Sequence, residues 1–195
     1  MRLEVRLAAV CNFKTKSKIP SENINYANIY LQKAGNNDEK MKIRRAEERD
    51  IPYIAKLLHQ VHDVHSSHRP DIFNKGNRKY NDEEIAALIV NDTKPIYVAD
   101  EDGAVLGYAF CIIEEVKDTP ALIDMKSLYI DDLCVDEASR GRHIGSALYE
   151  HVVSEAKRLG CYHITLNVWS FNESALRFYE KCGLKPLKTV MEKIL

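Results

Sequence analysis

The sequence predicts an α/β protein built on a mixed, mostly antiparallel central sheet flanked by helices, and three observations carry that prediction. Asp102-Gly103 separates two β-prone runs, 95–100 and 104–113, which is a strong hairpin signal. A third β-prone run, Ser127 to Val135, leads into a glycine loop that opens an amphipathic helix. Beyond that helix the pattern continues strand, helix, strand, so a crossover helix must return the chain to the same sheet.

Each element follows from local chemistry. Residues 1–40 carry little periodicity and end in the polar run Gly35 to Lys40, so they read as an N-terminal extension outside a domain spanning 41–195. Met41, where the regular pattern begins, is then either a candidate biological start or the end of a dispensable arm. A strand is expected over 42–45 and a helix from about Asp50 to about Ser66. Asn81-Asp82-Glu83-Glu84 has the form of a capping box, with Asn81 as N-cap of a short second helix and Glu84 reaching back. After the hairpin and the third strand come a loop over 139–143, a helix over 144–159, a strand over 162–168, a helix over 172–182 and a last strand over 185–194. Ile144, Leu148, Val152, Ala156 and Leu159 form one apolar stripe on the first of these helices. The sequence shows no internal repeat or low-complexity tract.

Bulk properties exclude several classes. Over 195 residues the net charge is −1, which argues against a nucleic-acid binder working through a basic surface. Five dispersed cysteines without a C-x-x-C pair fit reduced thiols in a cytoplasmic protein. No apolar run reaches the ~18 residues of a membrane span, and the N-terminal apolar run lacks a small-residue cleavage pattern, so neither a membrane partner nor secretion is expected.

The glycine loop is the first motif with chemistry. Ser139-Arg140-Gly141-Arg142-His143-Ile144-Gly145-Ser146 ends a strand and opens a helix, where unpaired backbone N–H groups meet the positive end of the helix dipole. Three phosphate-binding patterns compete with a plain tight connection. A G-x-G-x-x-G dinucleotide fingerprint is absent, and no P-loop lysine follows Gly145. The remaining pattern, Arg140, Gly141, Arg142, His143, Ile144, Gly145, resembles the pyrophosphate loop Q/R-x-x-G-x-G/A of the GNAT superfamily of N-acetyltransferases. His143 departs from it, standing where that family usually has glycine.

A second stretch strengthens the resemblance. Asn172, Ala175, Phe178, Tyr179, Lys181 and Gly183 match the family's N-x-x-A-x-x-F-Y-x-K-x-G-F in order, with Leu184 replacing the final aromatic. The residues themselves suit a helix, with Asn172 as N-cap, Gly183 as C′, and Ala175, Phe178, Tyr179 and Cys182 on one face. On that reading alone, Tyr179 is a core aromatic.

The resemblance implies a fold in which the sheet splays into a V-shaped slot for acetyl-CoA, the acetyl donor. It implies a bulge in strand 127–135 and pairing of the pantetheine arm with the backbone of Leu133, Cys134 and Val135. The same resemblance gives the pyrophosphate to Arg140, Gly141, Arg142, His143, Ile144, Gly145 and Ser146, includes Asn172 in the coenzyme site, and sets Tyr179 beside the coenzyme sulfur. Tyr129-Ile130-Asp131-Asp132-Leu133 is similar to the Y-x-E-D-L stretch of polyamine-type members, which implies that Asp131 is the base. An aspartate with an ordinary value of ~3.9 cannot efficiently deprotonate an ammonium at ~10.4 directly, so a water relay is expected. Asp132 is the alternative base, and either acid equally fits a strand-edge or ion-pair residue. Tyr179, with an ordinary value of ~10, suits the acid that protonates the departing thiolate. Cys134 reads as a small buried hydrophobe rather than a nucleophile.

His59, His62, His65 and His68 recur every three residues, but steps of ~300° on a helix prevent all four from meeting one ion, and no metal site is expected. In GNAT folds the first helices flank the acceptor, which makes residues 62–73, with Arg69 and Asp71, the expected specificity region. The expected function is acetyl transfer to a primary amine of a small molecule, peptide or protein. A non-catalytic acyl-CoA-binding module is the contrasting reading, and a homodimer through strand-edge pairing is compatible with either.

Overall fold

A computed structural model describes residues 41–195. The expectation for residues 1–40 lies outside the described residues. The described chain runs β1 (Met41–Arg45), α1 (Ile51–His68), α2 (Asp82–Ile89), β2 (Ile96–Glu101), β3 (Ala104–Val116), β4 (Met125–Val135), α3 (Ile144–Arg158), β5 (His163–Leu166) and α4 (Glu173–Lys181). These strands form one sheet in the order β1-β2-β3-β4-β5. Every pairing is antiparallel except β4 with β5, which α3 joins as a parallel crossover.

Both faces of the sheet are covered, and strand alternation divides the core in two. Ile96, Val98, Tyr108, Phe110 and Cys134 pack against Ile54, Leu57, Leu58 and Val61 of α1 and Ile85 of α2. Tyr97, Ala99, Ala109, Leu128, Ile130, Leu133 and Val135 face Ile144, Leu148 and Val152 of α3 and Ala175, Phe178 and Tyr179 of α4. The two-sided cover explains why β2 and β4 are buried almost throughout.

Local signals hold where they rest on backbone chemistry. Asp102 and Gly103 have φ 53° and 88°, so the hairpin is closed by the left-handed pair that its tight turn needs. Asn81 accepts the Glu84 N–H at 2.8 Å while Glu84 accepts the Asn81 N–H at 2.9 Å, completing the capping box. At the end of α4, Gly183 has φ 88°, and Leu184 N–H returns to Tyr179 O at 3.0 Å in a Schellman closure.

The expected strand over 185–194 does not form. Residues 185–195 have no regular structure, and Leu187, Val190, Met191, Ile194 and Leu195 are exposed. Pro186 cannot donate to a ladder, and the adjacent pairs Val190-Met191 and Ile194-Leu195 break the two-residue period. Glu192 instead pairs with Arg69 just beyond α1, at 2.8 Å.

Candidate active site

A bulge and a strand split shape the site. Phe110 pairs with Asp132 and Cys111 with Ile130, leaving Asp131 as the extra residue of β4. The bulge reverses the alternation, so Leu128 and Ile130 before it share a face with Leu133 and Val135 after it. β5 pairs with β4 only from Ser127 to Ile130 and ends at Leu166, while β4 continues to Val135. Beyond Ile130 the two strands part. Leu133, Cys134 and Val135 remain paired to β3 on one side, and past the split their other backbone edge has no β5 partner.

At the end of that edge the chain turns through a short helical turn, Glu137–Ser139, and the glycine loop into α3. Gly141 has φ 84° and His143, the N-cap residue, has φ 60° and ψ 13°. His143 thus holds a left-handed position, the type of site at which glycine is least strained. A left-handed residue followed by the right-handed Ile144 turns successive N–H groups into one concavity. The first turn-closing bond of α3 runs from Ala147 N–H to His143 O at 3.0 Å, so the N–H groups of Ile144, Gly145 and Ser146 precede any intrahelical acceptor. The His143 side chain does not cap them.

The loop's basic side chains divide. Arg142 turns away to pair with Glu101 at the β2–β3 hairpin. Arg140 stays with the loop, loosely paired to Glu137 at 3.4 Å, and its buried Nε has no hydrogen-bond partner among the described residues.

Across the split, Asn172 caps α4 by accepting the Ala175 N–H at 3.2 Å. That cap sets Tyr179 two turns later against Tyr149 of α3. Tyr179 is 2% exposed, and its hydroxyl oxygen is buried without a hydrogen-bond partner among the described residues. Burial, and then the neighbouring Asp132, hold the phenol well above its ordinary value, so it keeps its proton.

The two adjacent acids differ in their partners. Asp131 accepts from Tyr80 at 2.8 Å and pairs with Lys79 at 2.7 Å. Asp132 accepts the Tyr108 hydroxyl at 3.1 Å. Sequence reasoning assigned no role to Lys79, Tyr80 or Tyr108, because partners more than 20 positions away in sequence carry no local signal. Cys134 is buried with its Sγ 3.8 Å from Leu57 O, a packing position against α1.

Among the described residues, no three or more His, Cys, Asp or Glu side chains are grouped so as to hold a metal ion. His65 is buried and stacks on Phe73 with centroids 5.1 Å apart. His68 is exposed and stacks on Phe171 at 4.6 Å. Arg69 pairs with both Asp71 and Glu192 and lies over the Trp169 ring.

The chain is similar to known proteins. Residues 58–184 match the Acetyltransferase (GNAT) family. Glucosamine 6-phosphate N-acetyltransferase of Arabidopsis thaliana is 34% identical over 68 residues, 35% of this chain and 44% of that protein. The rice (Oryza sativa subsp. japonica) glucosamine 6-phosphate N-acetyltransferase 1 is 34% identical over 55 residues, 28% of this chain and 32% of that protein. The chain thus spans less than half the length of the curated relatives it matches. A tetramutant BH1408 protein from Bacillus halodurans superposes with TM-score 0.76 at 34% identity, covering 79% of this chain and 99% of that one. The Arabidopsis enzyme's crystal structure gives TM-score 0.58 at 26% identity, covering 80% and 99%. A bulged β4, a parted β5, a helix with open N–H groups and a match across both signatures lead to one conclusion: the chain belongs to the GNAT family of acetyltransferases.

Proposed function

We propose that the chain transfers the acetyl group of acetyl-CoA directly to a primary amine of a small molecule, peptide or protein. The observation that carries this reading is the buried Tyr179 hydroxyl, which lacks a partner among the described residues. An orphaned buried hydroxyl costs about 1–3 kcal/mol, so a ligand atom that completes it is the economical explanation. The buried Arg140 Nε and the leading N–H groups of α3 are likewise suited to a pyrophosphate, so the residues fit the coenzyme.

Acetyl-CoA supplies a thioester carbonyl that an amine can attack. Leu133, Cys134 and Val135 lie beyond the reach of β5, and on that side their backbone holds the pantetheine arm while one of their N–H groups polarises the carbonyl. Gly141 to Ser146, with Arg140, hold the pyrophosphate, and Asn172 keeps α4 aligned with them. Tyr179 donates its proton to the departing sulfur. Asp131, held by Lys79 and Tyr80, takes the amine proton through water, with Asp132 as the alternative. The relatives named for glucosamine 6-phosphate make an amino-sugar phosphate one acceptor to test. The outer edge of β5 pairs with nothing among the described residues, which supports a homodimer through strand-edge pairing.

One observation favours the alternative, a non-catalytic acyl-CoA-binding module: both carboxylate oxygens of Asp131 already have partners. Thiol release from acetyl-CoA, screened with polyamines, amino acids, amino-sugar phosphates and peptides, separates the two. Transfer predicts release that depends on one amine class and yields that acetylated amine. The binding module predicts no release while coenzyme A still raises the melting temperature.

A further inference from the structure

An aromatic cluster built from α1, the segment after it and the segment before α4 has no part in the chemistry above. Its inner end is buried, where His65, 3% exposed, stacks on Phe73 at 5.1 Å. Trp169 lies 6.3 Å and Phe171 6.2 Å from the His65 ring, both half-buried, and His68 at the outer end is exposed. The cluster thus grades from core to solvent while joining α1, the segment after it, and the segment between β5 and α4.

Position ties the cluster to the reaction. Asn167, two residues before Trp169, donates to the Tyr129 hydroxyl at 3.1 Å, next to the point where β4 and β5 part. Lys79, which holds Asp131 at 2.7 Å, lies within electrostatic reach of His65.

Within this cluster the His65 Nε2 is buried without a hydrogen-bond partner among the described residues. A purely structural residue at that place would be phenylalanine, which stacks equally well and leaves no orphan. Burial, followed by the charges of His62, Lys79 and His68, pushes the ring down to about 4, so it is uncharged near neutrality. An uncharged ring with its proton on Nδ1 presents a lone pair at Nε2. Aromatic faces add electron density that favours a cation, although Lys79 and Arg69 nearby oppose one; both are already paired with carboxylates.

Resting on the acetyltransferase reading, we propose that His65 is the acceptor-positioning residue: its Nε2 accepts a hydrogen bond from the ammonium group of an alkylamine, whose charge rests against Phe73 and Trp169. The ring orients the amine; removing the amine's proton remains the task of the acids on β4.

Trp169 is the single tryptophan of the chain, so tryptophan emission reports this site alone. The experiment titrates n-hexylammonium into the full-length protein, without acetyl-CoA, for wild type, His65→Phe and His65→Gln. Acetyl-CoA affinity and melting temperature are measured in parallel. We expect a saturable emission change in wild type, at least tenfold weaker binding in His65→Phe, and binding within about threefold in His65→Gln, whose amide can still accept. Acetyl-CoA affinity should stay within about twofold throughout, and His65→Phe should melt no lower than wild type. Equal n-hexylammonium affinity in wild type and His65→Phe would overturn the proposal. So would no saturable response in a wild-type protein that still binds acetyl-CoA, and that outcome leaves the transfer reading standing. Loss of acetyl-CoA binding in wild type would instead strike the transfer reading itself.

Discussion

His143 sits at φ 60° at the entrance to α3, and its energetics can be separated from its role. Replacing it with glycine relieves about 1–2 kcal/mol of left-handed crowding, against about 0.5–1 kcal/mol of extra chain entropy lost on folding. His143→Gly should therefore raise the melting temperature by no more than a few degrees and leave coenzyme affinity within about threefold, because the cradle consists of main-chain N–H groups. Gly145→Val, in the buried first turn, should weaken coenzyme binding at least tenfold by calorimetric titration. Equal affinities for the two variants would remove the main-chain account of the loop. Tyr179→Phe should lower turnover about a hundredfold, bind coenzyme no more tightly than wild type, and melt no lower than wild type in the absence of coenzyme. Because the phenol is held above its ordinary value, wild-type turnover should show no descending limb from this acid below about pH 10, as a pH–rate profile would reveal. His65 makes a separate pH prediction. Its folded value of about 4 lies below its ordinary 6.5, so between the two the unfolded chain binds more protons. Stability therefore falls as pH falls through this window, by up to about 1.4 kcal/mol per unit, and His65→Gln should remove that part of the slope in urea titrations at pH 4.5 and 6.5.

At the scale of elements, Gly107 shows how closely the sheet approaches α3. A Cβ there would lie 2.7 Å from Cys134 O and 3.2 Å from Leu148 Cδ1. Gly107→Ala must separate β3 from β4 or push α3 outward, and should cost about 1–3 kcal/mol in chemical denaturation. It should also lower coenzyme affinity, because β4 and the start of α3 are two walls of the same slot. The elements were legible in the sequence wherever a backbone signal ran alongside the periodicity: the Asp102-Gly103 turn, the Asn81–Glu84 box and the Asn172 and Gly183 caps all stand where the sequence puts them. Alternation alone misled at 185–194, where Pro186 and paired apolar residues outweighed β-propensity. The left-handed His143 had one sign in the sequence, its place where the family usually has glycine, since a histidine's own neighbours do not mark its φ. The partners of Asp131 come from residues 79 and 80, which only the fold brings to β4.

For the whole molecule, the division of the core matters most. α1 and α2 cover one face and α3 and α4 the other, and the two helical layers meet the same strand where β4 bulges and β5 departs. The groups proposed for the coenzyme, the α3 N–H groups and Tyr179, lie on the α3–α4 side. The partners of the acids, Tyr80 and Tyr108, belong to the α1–α2 side. On the proposed reading, the split gives donor and acceptor separate approaches to one point on β4, which is what direct transfer without a covalent enzyme intermediate requires. The most direct test follows the full-length wild-type and Tyr179→Phe proteins with acetyl-CoA and the amine panel, quantifying released thiol and acetylated amine by mass. Direct transfer predicts equal amounts of the two products for one amine class, with Tyr179→Phe about a hundredfold slower. If coenzyme A bound while no amine was acetylated, or if Tyr179→Phe matched wild type, the account of this site as a transferase built around Tyr179 would be contradicted.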